Sequence, residues 1–545
     1  MNKNKGNYLS HSVLTEIVVP ILTVLLFFIA RVIISNQIGL QAEGYLNIAL
    51  LPILFIEYLL FKQFENAETH LIRTRIQKEQ VKNSGQVLKF TMFLSCMFGL
   101  CFAAIAFFGS LFFSKLILGE GSGSLCFQYT SLIYLLIPCV SSIYGYFRGN
   151  HKDYVVSYNR CLFMIFFLIA VLFFSKQLGS YGVQVAKFLR KDTYVDAYCA
   201  AGAGFGILFA CFLSLLSTFI CFLISKNSFR IRLKKDTTKL KEHPFQLCKL
   251  LFSSMTTNLL IVLIVILPLV IQILFILIVS KQGQDSAVLI REYGLFFGRF
   301  CTILLLPFLY SSLLSANVSG RVEEYYLQKD IGKLKAFCGG EMNLQASFSA
   351  IVGALMMVMA KPLCQMLYGA VVSDELVLYV RLGGVLVITA ILSFTSSRLM
   401  KGIRRRRQQM IVLLLSAVLQ LAVGILCSFA FHLGFLGILI SEIVFTVVLL
   451  ILNTRLLAKY VKYHQEWIHS LAFPLVIAVV LSFVGWGLTI LLDSPLGVVF
   501  SSVLSILLVV TGYCYVLFRF IGYRRKEIIL VPGGKIVLML IRFCS

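Results

Sequence analysis

Four ionisable residues interrupt long apolar runs and are the side chains most able to do chemistry in this chain. They are Arg31 in "LTVLLFFIARVIISNQIG", Glu57 in "LPILFIEYLLF", Arg299 in "YGLFFGRFCTILLLPF" and Glu442 in "GILISEIVFTVV". At the middle of a membrane helix such a residue costs about 2.5–3.5 kcal/mol, so it faces a cavity, a partner or a bound ion. With a rise of about 1.5 Å per residue, Arg31 lies about 10 Å from the outer end of its run. Glu57 lies roughly 18 Å from the outer end of the next, and Arg299 about 10 Å beyond Glu292. The arginines have an alternative, because a guanidinium can snorkel along its helix to the headgroups; that is the favoured reading for Arg160 and Arg381, which sit nearer the membrane faces. Glu57 is too short for this escape and must be protonated, paired or wetted. The chain shows no carboxylate pair, metal-ligand cluster, phosphate loop or nucleophile triad. No cofactor is expected, and an enzyme such as a membrane-embedded glycosyltransferase is disfavoured.

These residues ride on elements that the composition identifies. Hydrophobic residues make up 59% and charged residues 13% of the 545 residues, against roughly 25% charged in a soluble domain. Apolar runs at 13–38, 45–66, 87–113, 125–147, 154–176, 198–225, 248–280, 288–314, 340–367, 375–400, 408–431, 433–457, 467–492 and 495–521 are long enough to span a bilayer. They are apolar throughout and do not alternate, which excludes a membrane β-barrel. The reading is an all-α polytopic membrane protein with about 14 transmembrane helices, its first helix retained because no cleavage site follows it. Fifteen cysteines, scattered without a CxxC pair, read as small hydrophobes.

The net charge of +25 does not gather on one soluble face, which argues against nucleic acid. It is divided among alternate connections: Lys3 and Lys5; Lys62 to Lys82; Arg148 and Lys152; Arg230 to Lys241; Arg321 and Lys329; Arg404 to Arg407; Lys459 and Lys462; Arg524 to Lys526. The intervening connections, such as "NQIGLQAEG" and "LLDSPLG", are nearly free of cations. The positive-inside rule then places both termini in the cytoplasm. Residues 64–86 read as a charged helical extension, 177–197 as a long outer loop, and 226–247 as a basic linker able to lie on an anionic leaflet.

That linker divides a repeat. "IYGYFRGN" (143–150) and "SRLMKGIR" (397–404) each end a span with a glycine and basic residues, and "AGFGILFACF" (203–212) matches "LGFLGILISEI" (433–443). Six helices per copy make this a parallel pseudo-repeat. The expected organisation is an N-terminal lobe at 1–225, the linker at 226–247, a C-terminal lobe at 248–457, and two further helices with a basic tail at 458–545. Pro20, Pro52, Pro138, Pro268 and Pro307 fall inside spans and permit bends.

Three stretches carry a family resemblance. "ARVIISNQIGLQAEGYLNIALLP", "LIPCVSSIYGYFRGNHKDYVVSYNR" and "LLLPFLYSSLLSANVSGRVEEYYLQKDIGKLK" are similar to the landmarks of the stage V sporulation protein B-like polysaccharide flippases. That family lies within the multidrug, oligosaccharidyl-lipid and polysaccharide (MOP) exporter superfamily, which also holds the lipid II flippases. The resemblance implies two six-helix lobes around a cavity lined by helices 1, 2, 7 and 8, plus two further helices. It also implies alternating-access transport of a polyprenyl-diphosphate-linked sugar. Arg31 matches the family's first-helix arginine and Arg299 would face it from the other lobe. A guanidinium suits bidentate phosphate contact, which makes Arg31 a phosphate anchor; Glu57 would pair with it or bind a coupling cation. Span 7 departs from relatives in lacking an ionisable residue before its end. A drug or cation antiporter and a non-transporting scaffold for envelope-synthesis enzymes are the rival readings.

Overall fold

The structure, a computed structural model, describes residues 18–118, 121–235, 243–256, 266, 270, 271, 274, 286–314, 318–369 and 371–520. Most of the seventh span, the cations near both termini, and Lys239 and Lys241 lie outside the described residues. The described chain is helical with short turns and no strand, as expected where no water can satisfy an open backbone.

The helices are α1 (Val19–Ile38), α2 (Leu40–Gln77), α3 (Val81–Phe108), α4 (Ser110–Leu118), α5 (Ser124–Gly149), α6 (Asp153–Leu189), α7 (Thr193–Lys235) and α8 (Pro244–Thr256). They continue with α9 (286–314), α10 (Val318–Leu327), α11 (Ile331–Val358), α12 (Ala360–Tyr368), α13 (Asp374–Gly402), α14 (406–430), α15 (Phe435–Val461) and α16 (468–520). Twelve described helices are long and apolar enough to cross a membrane. One of them, α16, contains two spans, because Gly497 at φ +76° reverses the chain and Gly485 then meets Val509. The span at 177–197 is not a loop. Helix α6 runs on to Leu189 and α7 starts at Thr193, because the segment has no proline and Gly182 packs on Tyr198 to keep the two helices together. The linker begins as a continuation of α7.

The chain divides into two compact units, residues 1–298 and 299–545, with the boundary inside α9. Two turns recur in both units. Between α2 and α3, Glu79 takes φ +60° while Gln80 N–H bonds to the Arg75 carbonyl and Val81 N–H to that of Glu79. Between α10 and α11, Lys329 takes φ +56°, and Asp330 and Ile331 repeat those two bonds to Tyr325 and Lys329. The turns after α5 and α13 also match: His151 and Arg404 have positive φ, each two residues after a glycine. A methyl group on Gly149 would fall 2.5 Å from Ile72 Cγ2, and one on Gly402 would fall 2.6 Å from Val322 Cβ. Only a glycine lets these helix pairs close. Gly206 against Val171 and Gly437 against Ser428 extend the match to the last helix pair.

The two glycine contacts belong to equivalent cores. In the first unit Ala67, Ile72, Val87, Phe147, Val156 and Leu251 are buried together. In the second, Val322, Leu334, Phe337, Leu399, Ile403 and Leu457 are buried together. In each unit the basic turns gather at one end, called the basic end below.

Candidate functional site

Arg31 lies in a hairpin whose geometry is set by one residue. Gly39, at φ +80°, ends α1 and reverses the chain into α2, a conformation that L side chains rarely adopt. Residues equally distant from Gly39 therefore face each other. Ser35 Oγ donates to Glu43 Oε2 at 2.5 Å, and Arg31 Nη2 donates to Asn47 Oδ1 at 3.3 Å. The i, i+4 spacing puts Arg31 and Ser35 on one stripe of α1 and Glu43 and Asn47 on one stripe of α2, and the diagonal is closed by an Arg31 Nη2–Glu43 Oε1 ion pair of 3.5 Å.

Glu43 is sealed from the other side by residues 286–298 of α9, which pack on α2 within the first unit. A methyl group on Gly44 would lie 2.0 Å from the Ile290 carbonyl oxygen, and one on Gly294 would lie 2.1 Å from that of Leu40. One on Gly298 would lie 2.3 Å from the Glu43 carboxyl carbon. Glu43 is fully buried, while the Arg31 side chain retains 12% exposure.

The partner of Arg31 is thus Glu43 and not Glu57. Glu57 lies about 21 Å further along α2 at the helical rise, where it opens a π-helical turn, Glu57–Phe61, just after Pro52. Glu57 is half-buried, its carboxyl makes no hydrogen bond, and it has Lys62, Glu65 and Arg160 as its charged neighbours. Glu43 sits inside a motif quoted above, yet the sequence assigns it no role because it is placed near a helix start, where an acidic residue is ordinary.

A second ionic group lies toward the basic end. Glu65, its side chain 4% exposed, receives Lys62 Nζ at 2.7 Å, Arg148 Nη1 at 2.7 Å and Arg160 Nη2 at 3.7 Å. These cations come from α2, α5 and α6. Arg160 also lies over the Tyr144 ring, 5.6 Å from its centroid, so it turns inward to a partner where snorkelling was expected. One turn below, Glu68 is fully buried against Gly145, and neither carboxyl oxygen has a hydrogen-bond partner.

Arg299 belongs to the second unit and lies in the π-helical segment Gly294–Phe300. Its guanidinium stands 4.9 Å from the centroid of the Tyr368 ring, and the Tyr368 hydroxyl donates to the Arg299 carbonyl at 2.9 Å. One tyrosine thus holds both side chain and backbone at the place where the α-helical ladder is interrupted. Such interruptions concentrate at functional positions. Glu442 is half-buried on α15, and its carboxyl makes neither a hydrogen bond nor an ion pair. Sequence reasoning overlooked a buried chain elsewhere in the same unit: Ser311 Oγ donates to Gln345 Oε1 at 2.8 Å, and Gln345 Nε2 donates to Glu341 Oε1 at 3.2 Å.

No protein-family model matches the chain, and no curated protein matches its sequence. Solved structures do match. An inward-facing multidrug resistance MATE family transporter of the MOP superfamily superposes with a TM-score of 0.65 at 14% identity, covering 80% of this chain and 94% of its own. The lipid II flippase MurJ in an inward closed conformation gives 0.59 at 14% identity, covering 91% and 96%. An outward-facing MATE transporter gives 0.53 at 15% identity, covering 83% and 96%. The chain therefore has the fold shared by MATE transporters and the MurJ flippase.

Proposed function

We propose that this membrane protein is an alternating-access flippase. It would carry a polyprenyl-diphosphate-linked oligosaccharide or cell-wall precursor across the cytoplasmic membrane, with both termini on the cytoplasmic side. The observation that carries this reading is the Arg31–Glu43 pair, a guanidinium held inside a spanning hairpin of a chain with the fold of a lipid II flippase. A lone buried cation would be prohibitively costly, and the carboxylate neutralises it while no substrate is present. A diphosphate offers more negative charge than one carboxylate and meets the guanidinium fork bidentately, so it competes for Arg31. Displaced Glu43 keeps the Ser35 hydroxyl, which is already its donor.

Arg299 is a second anchor in this reading, held ready by Tyr368. Glu57 and Glu442 are the carboxyls available to a coupling cation or proton. The lobes at 1–225 and 248–457 are the bodies that rock, and Pro52 and Pro307, both inside helices, supply bends. Membrane lipids surround the protein, and envelope-synthesis enzymes are candidate partners.

The test is transbilayer movement of a fluorescent polyprenyl-diphosphate sugar in proteoliposomes, comparing wild type with Arg31→Ala and Arg31→Lys. Movement that collapses in Arg31→Ala and partly returns in Arg31→Lys supports the anchor. Absence of movement in wild type overturns the reading. A second reading, drug or cation antiport, is favoured by the MATE likeness and by the buried Glu43 carboxylate, which could receive a cation. Proton-driven uptake of an organic cation into the same vesicles would select it.

A further inference from the structure

We propose that Lys62, Arg148 and Arg160 form an anion site for the phosphate of a lipid headgroup, separate from Arg31 and nearer the basic end. The site itself stands on its own geometry; naming a lipid-linked substrate as the source of the phosphate rests on the flippase reading.

Three cations from three helices converge on the single carboxylate of Glu65. Exposure separates the two signs of charge. The Glu65 side chain is 4% exposed, while those of Arg148, Lys62 and Arg160 are 23%, 28% and 41% exposed. The acid thus forms the floor of the cluster and the cations its accessible rim. Cations that merely snorkel diverge toward bulk headgroups; these turn inward to a common point. The other acids facing the cluster are Glu57, half-buried beside Lys62 and Arg160, and Asp153, exposed beside Arg148. Glu68 is closed off behind Gly145.

The donors are also fixed in place. Lys62 is tied to Glu65 one turn away, and Arg160 lies on the Tyr144 ring. The Arg148 carbonyl accepts from Arg73 Nη2 at 3.3 Å, which anchors the last turn of α5 to α2. Donors already ordered around a carboxylate lose little further freedom when a second oxyanion arrives. Two guanidinium forks and an ammonium then suit a phosphate, whose oxygens accept on several sides. Arg160 lies about 10 Å along α6 from Asp153 at the helical rise, a depth at which a lipid headgroup can reach it from the membrane face.

The experiment measures binding of farnesyl diphosphate and of farnesol to the full-length protein in nanodiscs, so that the ratio isolates the phosphate contribution. Arg148→Gln and Arg160→Gln are each expected to lower the diphosphate-to-alcohol ratio about tenfold, equivalent to about 1.4 kcal/mol. Arg381→Gln, on the second unit, should leave it unchanged. Arg160→Gln is the safer variant for folding, because Arg160 is the most exposed of the three and the farthest from Glu65, and an unaltered size-exclusion profile verifies it. An unchanged ratio in both cluster variants overturns the site. Nanodiscs of phosphatidylcholine alone and with phosphatidylglycerol identify the source. Competition by phosphatidylglycerol assigns the site to bulk phospholipid, and persistence of diphosphate binding assigns it to the lipid-linked substrate. Absence of sugar-lipid movement in wild type, with this ratio intact, would remove the flippase reading and leave the site standing.

Discussion

Ser35 and Glu43 face each other across Gly39, and the serine hydroxyl donates to the carboxylate at 2.5 Å. The hairpin thereby aligns the next stripe position, Arg31, with Asn47 and lets the guanidinium close on the same carboxylate. Removing the arginine leaves a fully buried acid without its paired guanidinium. Arg31→Met is therefore expected to destabilise the protein by about 3–5 kcal/mol, the usual consequence of breaking a buried pair. Adding Glu43→Gln to that variant should restore most of the loss. Denaturant unfolding in mixed micelles measures this, and effects that simply add would show the two residues to be uncoupled.

The glycines of α2 and α9 make a second expectation. Gly44→Ala and Gly294→Ala each place a methyl group about 2 Å from a backbone oxygen, and backbone cannot move aside as a flexible side chain does. Both variants should lose at least 2 kcal/mol or fail to fold, since overpacking typically costs about 1–3 kcal/mol and rigid neighbours raise it. Gly487 has nothing within 4 Å of the added methyl. Gly487→Ala should hold or raise stability by up to about 1 kcal/mol through helix propensity. Thermal midpoints of the three variants in one detergent decide the matter.

Tyr368 separates ring from hydroxyl as supports of Arg299. Tyr368→Phe keeps the cation–π contact and removes the bond to the Arg299 carbonyl, whereas Tyr368→Leu removes both. A desolvated cation–π contact contributes about 2 kcal/mol. Substrate movement should thus fall by less than threefold in the phenylalanine variant and by more than tenfold in the leucine variant. Equal rates in all three proteins would remove Arg299 from the list of anchors.

Asp330 caps α11 and provides a pH dependence outside the spans. Its side chain bonds to Lys333 Nζ at 2.8 Å and to the Lys333 backbone N–H at 3.0 Å, and both hold its carboxyl below the ordinary carboxylate value. A depressed value in the folded state means that the contribution is complete above the ordinary value and is lost as pH falls through the folded one. The protection of the amides at residues 331–334 against exchange, taken relative to the intrinsic rate at each pH, should fall on acidification below about pH 4. Asp330→Asn should abolish that dependence while preserving the cap, and Asp330→Ala should give low protection at every pH.

Much of the architecture was determined by sequence, because hydrocarbon permits only helices and because each span writes its length as an uninterrupted apolar run. The internal repeat was visible in "IYGYFRGN" and "SRLMKGIR", and its glycines prove to be the points where equivalent helix pairs close. The α6–α7 extension was misread as a loop, since polar residues beyond the membrane look alike in helix and coil. Tertiary structure decided the partnerships. Arg31 stood out because its cost inside a membrane is local, a property of one residue in its run. Glu43 and Glu65 did not, because an acid near a helix start or on a charged extension is ordinary until the neighbouring helices are known. Charge placement is a one-dimensional signal, whereas ion pairing depends on which helix faces meet; Gly39 sets that by reversing the chain, and Gly44 and Gly294 set it through contacts between distant parts of the chain.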